Sequence, residues 1–365
     1  MNTHEYFMDM ALQWASTAKG QTAPNPMVGA IVVKDGEIVG MGAHLKAGEP
    51  HAEIHALAMA GEKAKGATIY VTLEPCSHHG KTPPCADAVI RAGISQVVIA
   101  MLDPNPLVAG RGVQRLKEAG IEVIHGVREA ESRRLNEVFI KYITTQRPFV
   151  TIKTANTLDG KVATQTGSSR WVTGEKARQD VHRLRHQNQG ILVGVNTIIK
   201  DNPELTTRLP EGGRNPLRIV LDSKLRIPLE SKVVQDGQAP TWIYTTFEAD
   251  EGKLRQLKLA GVEVFRVSDG PLVGVEDVLK HLGEHQVSSI LVEGGSQVNG
   301  SFLRARAIDK VITYFAPKLV GGALAPTSFG GDGIQQMEEA IHLQHMEVET
   351  VGEDLRVEGY PEWGD

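Results

Sequence analysis

One imidazole, two thiols and one carboxylate stand in a short part of this chain: His51-Ala52-Glu53, then Pro75-Cys76, then Pro84-Cys85. His51, Cys76 and Cys85 are three ligands of the kind that hold a zinc ion with its fourth position open for water. Glu53 is then a spare carboxylate that can move protons. The chain has only two cysteines, and both lie here. Two thiols in a chain of cytosolic character do not make a disulfide framework. Nor do they read as core cysteines: a proline precedes each, and the eight residues between them, Ser77 to Pro84, are polar. That segment carries His78 and Lys81, a donor and a cation beside the metal, which suits a substrate bearing a phosphate. His55 lies four residues after His51, but the thiols already complete three ligands, so it reads as structural.

The elements that must position these groups follow from pattern. Residues 5–18 read as an amphipathic helix with Tyr6, Met10, Trp14 and Ala18 on one face. Strands over 28–33 and 38–43, joined by Lys34-Asp35-Gly36-Glu37, form a hairpin whose end brings Asn25 and His44 towards a common face. A helix over 52–61 starts next to His51. A strand over 67–73 delivers Cys76 at its carboxyl end, where open α/β sheets bind ligands. Cys85 opens a helix over 85–92, a place that favours a thiolate. Further elements at 97–100, 111–119 and 121–124 complete a layered α/β domain, and 129–143 reads as one helix. Thr144 to Pro148 is the boundary, which predicts domains over 1–146 and 147–365.

Two domains also suit a chain of 365 residues. Hydrophobic and charged contents of 41% and 23% are those of a soluble globular protein. The net charge is −5 and no Lys/Arg-rich run stands out, which disfavours a nucleic-acid partner. The N-terminus is polar and acidic, unlike a signal peptide, and no apolar run reaches the roughly 18 residues of a membrane span. A cytoplasmic protein is expected.

The second half has no cysteine and no G-x-G-x-x-G. It has a strand over 289–292, then Glu293-Gly294-Gly295-Ser296, then a helix-like run from Gln297 to Arg304. Strand, glycine turn and helix N-terminus can cradle a phosphate. A turn that needs glycine for φ > 0 explains the same residues equally well.

In combination, Asn25-Pro26-x-Val28-Gly29, His51-Ala52-Glu53, Thr72-Leu73-Glu74-Pro75-Cys76-Ser77-His78, Gly80-Lys81-Thr82-Pro83-Pro84-Cys85 and Asp103-Pro104-Asn105-Pro106 closely resemble the bifunctional deaminase/reductases of riboflavin biosynthesis. The resemblance covers essentially the whole chain. The zinc deaminases at large carry H-x-E with P-C-x-x-C; the longer cysteine spacing here is this family's own pattern. The resemblance implies an α/β chain of two domains: an N-terminal cytidine-deaminase-like α/β/α layer and a C-terminal dihydrofolate-reductase-like α/β domain. It implies zinc-dependent removal of the C2 amino group of 2,5-diamino-6-(5-phosphoribosylamino)pyrimidin-4(3H)-one, with Glu53 as proton shuttle and Asn25, His44, His78 and Lys81 on the substrate. It further implies reduction of the ribosyl group to ribityl with NADPH. Ala155, Trp171, Thr197, Asp201, Ser223 and the run Gly295, Ser296, Gln297, Val298, Asn299, Gly300 and Ser301 would line the NADPH site. Ser169, Arg185, Leu205, Arg208 and Glu293 would hold the substrate, with Arg185 and Arg208 suited to its phosphate. Lys153 would polarise or protonate the reacting sugar. By the same analogy the chain is a homo-oligomer, a dimer or tetramer. Competing readings are a deaminase of a free or tRNA nucleobase with the second half as a binding domain, and a structural zinc completed by His78 or His79.

Overall fold

The structure, a computed structural model, describes residues 3–77, 83–105 and 108–364. The chain divides into two compact units, Met1–Gln146 and Arg147–Asp365.

The first unit runs α1 (Thr3–Ser16), β1 (Gly29–Lys34), β2 (Glu37–Ala43), α2 (Ala52–Ala60), β3 (Thr68–Leu73), α3 (Cys85–Arg91), β4 (Gln96–Met101), α4 (Arg111–Glu118), β5 (Glu122–His125), α5 (Glu129–Leu135) and α6 (Glu137–Thr145). Its sheet has the order β2-β1-β3-β4-β5. β1 is antiparallel to both β2 and β3, and β3, β4 and β5 are parallel. Asp35 and Gly36, both at positive φ, turn the β1–β2 hairpin. The strands are buried on both faces, as a covered sheet requires. Ala30, Val32, Ile69, Val71 and Ile99 pack with α2 and α3 on one side; Ile31, Val33, Tyr70 and Val98 pack with α1 on the other. The result is an α/β/α layer.

Two expectations are corrected. α1 buries Phe7, Met8, Ala11 and Ala15, whereas Tyr6 and Trp14 are exposed. The helix lies so close to β1 that a Cβ on Gly29 would stand 2.0 Å from the Ala11 carbonyl oxygen, and at that crossing the helix presents the small side chains of Ala11 and Ala15. The run 129–143 is two helices. Asn136 breaks it: its buried amide donates to the Met27 carbonyl at 3.0 Å and accepts from the Met27 N–H at 2.8 Å. This side chain competes with the helix and in return pins the loop that carries Asn25.

The second unit runs β6 (Phe149–Thr157), α7 (Glu175–Gln187), β7 (Gly190–Gly194), α8 (Val195–Asp201), β8 (Leu217–Leu221), α9 (Lys232–Gln235), β9 (Thr241–Thr246), α10 (Glu251–Leu259), β10 (Glu263–Ser268), α11 (Val275–Glu284), β11 (Ser289–Val292), α12 (Ser296–Arg304), β12 (Lys310–Ala316), β13 (Leu343–Val351) and β14 (Asp354–Pro361). Among the described residues they form one sheet of order β10-β9-β8-β7-β11-β6-β12-β14-β13. The first seven of these are mutually parallel, and β14 and β13 add antiparallel. α11 and α12 pack with Ile152, Leu192, Ile219 and Ile290, while α7 packs with Leu291, Ile312 and Tyr314. The carboxyl ends of β6, β7, β8 and β11 therefore open together, with residues 153–155, 194–201, 221–223 and 293–296 around them.

Candidate active sites

In the first unit, the extended backbone of His51 at the start of α2 turns its ring outward. Cys76 follows β3, and Cys85 is the first residue of α3. The His51 Nδ1 atom lies 3.2 Å from Cys85 Sγ and 3.7 Å from Cys76 Sγ, and all three ligand atoms lie within 4.8 Å of one another. Four-coordinate zinc with ligands at about 2.0 and 2.3 Å sets ligand separations of about 3.5–3.8 Å, and both N–S separations lie within a few tenths of an ångström of that range. The electrostatics agree. Hydrogen bonds from Cys85 and His51, and from the Cys85 N–H at 3.3 Å, hold the Cys76 thiol down at about 4. Cys85, beside that sulfur and Glu53, is pushed up. A dication accepting both sulfurs as thiolates relieves this conflict.

Glu53 is 3% exposed one turn into α2, and burial pushes its carboxyl up to about 7. A buried carboxyl near neutrality can both take and give a proton. His44 Nε2 accepts from Asn25 Nδ2 at 3.2 Å, and the His44 ring stands edge-on to His51. Burial lowers its basicity. A cleft of about 300 Å³ joins Asn25, His44, His51, Glu53 and Cys76, and its other walls include Asp103, Asn105 and Phe139. Sequence reasoning assigned Asp103 and Asn105 no role, although the prolines around them marked a loop. His78 and Lys81 lie outside the described residues. His55 is not part of the cluster, and its Nε2 is buried without a partner among the described residues.

In the second unit, Lys153 on β6 and Arg185 on α7 converge on Glu293, just after β11. Arg185 donates from Nε and Nη2 to the two Glu293 oxygens at 2.7 and 3.1 Å, and Lys153 Nζ is 3.8 Å away. These side chains are 12–15% exposed. The two cations hold the Glu293 carboxyl down at about 2 despite its burial. Burial, with Arg185 adding to it, lowers the Lys153 ammonium. A neighbouring cleft of about 540 Å³ brings together Ser169, Trp171, Arg185, Asp201, Leu205 and Arg208. Trp171 is exposed and stacks its ring against the Arg178 guanidinium at 4.8 Å, so it is not a core aromatic. Since Arg185 spends its fork on Glu293 and Nη1 on the Thr206 carbonyl, Arg208 is the more accessible guanidinium.

Ala155 lies on β6, Thr197 in the first turn of α8, and Ser223 two residues beyond β8, where its hydroxyl accepts from the Val273 N–H. Neither Gly294 nor Gly295 has a positive φ, so the turn does not need glycine for its dihedrals. A Cβ on Gly295 would enter open space at the start of α12, the position a phosphate cradle leaves free. Gly295, Ser296 and Gln297 sit at this open end. Val298 packs in the core cluster, Asn299 donates to the Ser328 carbonyl, Gly300 lies against Gly330, and Ser301 donates to the Val298 carbonyl.

A His-Cys-Cys cluster beside a buried glutamate on an α/β/α layer, followed by a mostly parallel α/β unit with an open glycine turn at a helix start, is the build of a deaminase-type zinc-binding layer joined to a second α/β unit. The profile for the cytidine and deoxycytidylate deaminase zinc-binding region matches residues 1–101, and that for the RibD C-terminal domain matches residues 148–357. The chain is 48% identical to the riboflavin biosynthesis protein RibD of Bacillus amyloliquefaciens, over 99% of this chain and 97% of that one. It is 50% identical to RibD of Aquifex aeolicus, over 96% of each. A solved structure of Acinetobacter baumannii RibD superposes with a TM-score of 0.89 at 37% identity, covering 99% of both chains. The Thermotoga maritima diaminohydroxyphosphoribosylaminopyrimidine deaminase/5-amino-6-(5-phosphoribosylamino)uracil reductase gives 0.87 at 41% identity over the same share. The chain belongs to the RibD family, bifunctional deaminase/reductases of riboflavin biosynthesis. It has a cytidine-deaminase-like N-terminal domain and a RibD reductase C-terminal domain. No helix of the described residues is long and apolar enough to cross a membrane.

Proposed function

We propose that residues 1–146 hydrolyse the C2 amino group of 2,5-diamino-6-(5-phosphoribosylamino)pyrimidin-4(3H)-one, and that residues 147–365 reduce the ribosyl group of the product to ribityl with NADPH. The observation that carries the first half is the separation of His51 Nδ1 from two sulfurs at zinc-ligand spacing, with Glu53 buried alongside. His51, Cys76 and Cys85 would hold the zinc, which would supply a water activated for attack on carbon. Glu53 takes one proton of that water and passes it to the ring nitrogen, then takes the hydroxyl proton of the C2 adduct and passes it to the departing amine, so that C2–O forms, C2–N breaks and ammonia leaves. Asn25 and His44 line the cleft and hold the pyrimidine; His78 and Lys81 are assigned to its phosphoribosyl end on sequence alone.

For the second half, Arg208 with Ser169 and Leu205 receives the phosphoribosyl product, and Arg185 and Glu293 fix the floor of the site. Lys153, held beside Glu293, is the group we assign to donate a proton to the opened sugar. NADPH supplies the hydride when bound; Ala155, Trp171, Thr197, Asp201, Ser223 and the α12 end from Gly295 are assigned to it, and the open space at Gly295 supports that placement. We assign the cytoplasm because two free thiols must stay reduced to bind the metal. A homo-oligomer is supported by β13, an edge strand exposed along nearly its whole length, with Met346 and Val348 among its exposed apolar side chains.

The test follows ammonia release and NADPH absorbance together on zinc-loaded protein with the diaminopyrimidine substrate. NADPH consumption that begins only after ammonia release is the expected result. Ammonia without NADPH consumption refutes the reductase assignment. Neither change, with zinc bound, refutes the substrate and turns attention to free nucleobases.

A further inference from the structure

Glu74 precedes the Pro75-Cys76 pair and is 5% exposed, yet it faces no cation among the described residues. Its two oxygens accept four backbone N–H groups instead. Asp103 and Gly110 donate to Oε2 at 3.1 and 3.0 Å, and Gly112 and Val113 donate to Oε1 at 2.8 and 3.1 Å. The carboxylate thus gathers the end of the segment leaving β4 and the first turn of α4 onto one point. The approach is tight: a Cβ on Gly112 would stand 2.1 Å from the Pro75 carbonyl oxygen. The gathered segment is a wall of the deaminase cleft, which Asp103 and Asn105 line together with His44 and Glu53. Asp103 in turn accepts from the Asn105 N–H at 2.8 Å, so the clamp on its backbone also orients its carboxylate.

We propose that Glu74 is a positioning residue for deamination: its carboxylate holds the Asp103–Asn105 wall in place and thereby sets substrate affinity, rather than serving the metal. The proposal rests on the deaminase reading of this unit. A carboxylate is needed because it presents only acceptors. An amide at the same place turns an NH2 towards two of the four N–H donors and releases half of the clamp.

The experiment compares the full zinc-loaded chain with its Glu74→Gln variant in four readouts: zinc content, hydrogen exchange at the Asp103 and Gly110 amides, KM and kcat for ammonia release, and NADPH oxidation with the deaminated pyrimidine supplied. Expected are one zinc per chain as in the unaltered protein, exchange at those amides faster by at least about tenfold, KM raised by about tenfold, kcat within about threefold, and unchanged NADPH oxidation. A tenfold change corresponds to about 1.4 kcal/mol, at the low end of what losing contacts to a charged group costs. Faster exchange with KM unaltered overturns the proposal, because the wall would then not govern affinity. Loss of zinc with unaltered KM in the loaded fraction overturns it in favour of a metal-site role. If Glu74→Gln does not fold, Gly110→Ala loosens the same segment by straining a residue at φ +78° whose Cβ meets no neighbour, and an unaltered KM there overturns the proposal equally. An unaltered protein that releases no ammonia at all refutes the deaminase reading itself, a separate outcome.

Discussion

Glu293→Gln changes one buried carboxylate into a neutral side chain of the same shape. It leaves Arg185 and Lys153, 13% and 15% exposed, facing each other without a counterion. The structure sets the size of the effect. A carboxyl held at about 2 against an ordinary value of 4.5 corresponds to about 3 kcal/mol of stability at neutral pH, in line with the ~3–5 kcal/mol cost of breaking a buried pair from one side. The folded-state value is depressed, so this contribution is complete above about pH 4.5 and disappears as pH falls towards 2. The gap between the two proteins should therefore narrow to about half by pH 3. Urea unfolding followed by tryptophan fluorescence reads the second unit, which holds three of the four tryptophans, Trp171, Trp242 and Trp363. With an m-value of about 2–3 kcal/mol/M, the midpoint should fall by about 1–1.5 M at pH 7. A fall below about 0.3 M, or a gap that does not close on acidification, refutes the view that Glu293 is ionised between two buried cations.

Four further outcomes follow from the same geometry. Glu53→Gln should retain zinc, measured by atomic absorption, while ammonia release drops by about 10²–10⁴-fold; loss of zinc or of folding would favour a structural site. Cys85→Ser should lose zinc and deamination yet keep NADPH oxidation when the deaminated pyrimidine is supplied, since His51, Cys76 and Cys85 all belong to the first unit. Asp236→Asn should cost about 3 kcal/mol in urea, because Arg218 is fully buried and forks onto Asp236 at 2.7 Å through both Nη atoms; Arg218→Met with Asp236→Leu should cost less than Asp236→Asn alone. Gly300→Ala should lower the melting temperature of the second unit, since its Cβ would stand 1.9 Å from the Gly330 carbonyl oxygen and overpacking of this kind costs about 1–3 kcal/mol.

The candidate zinc cluster was legible because chemistry restricts metal ligands to a few residue types, and because His51, Cys76 and Cys85 each stand at an element boundary that sequence marks with proline or a change of period. The hairpin was legible for a similar reason: Asp35-Gly36 tolerates the positive φ that its turn imposes. The face of α1 was not. Tyr6, Met10, Trp14 and Ala18 recur with a regular spacing of four, but the depth of Gly29 selects the face of Ala11 and Ala15, and that depth is a property of the packed sheet. The break at Asn136 was hidden in an unbroken apolar period from Leu135 to Tyr142. Its cause is a hydrogen bond to Met27, 109 residues away.

What stayed illegible shares one feature: the partner is backbone, or is remote. Arg185 and Glu293 were both taken for substrate ligands, and nothing in their types reveals that they are also each other's partner across 108 residues. Glu74 sits inside the most recognisable motif of the chain, yet its partners are four N–H groups that any residue except proline could supply. Motif residues therefore divide by the kind of partner they take. Those that meet a metal or a substrate can be read from their own chemistry. Those that meet the backbone place other residues, as Glu74 places Asp103 and Asn136 places Asn25, and only the fold shows whom they serve. In this chain the two kinds are interleaved: Glu74 is two residues before Cys76, and Asp103 and Asn105 line the same cleft as that thiol. A substitution that spares every group touching the substrate can then still alter its binding.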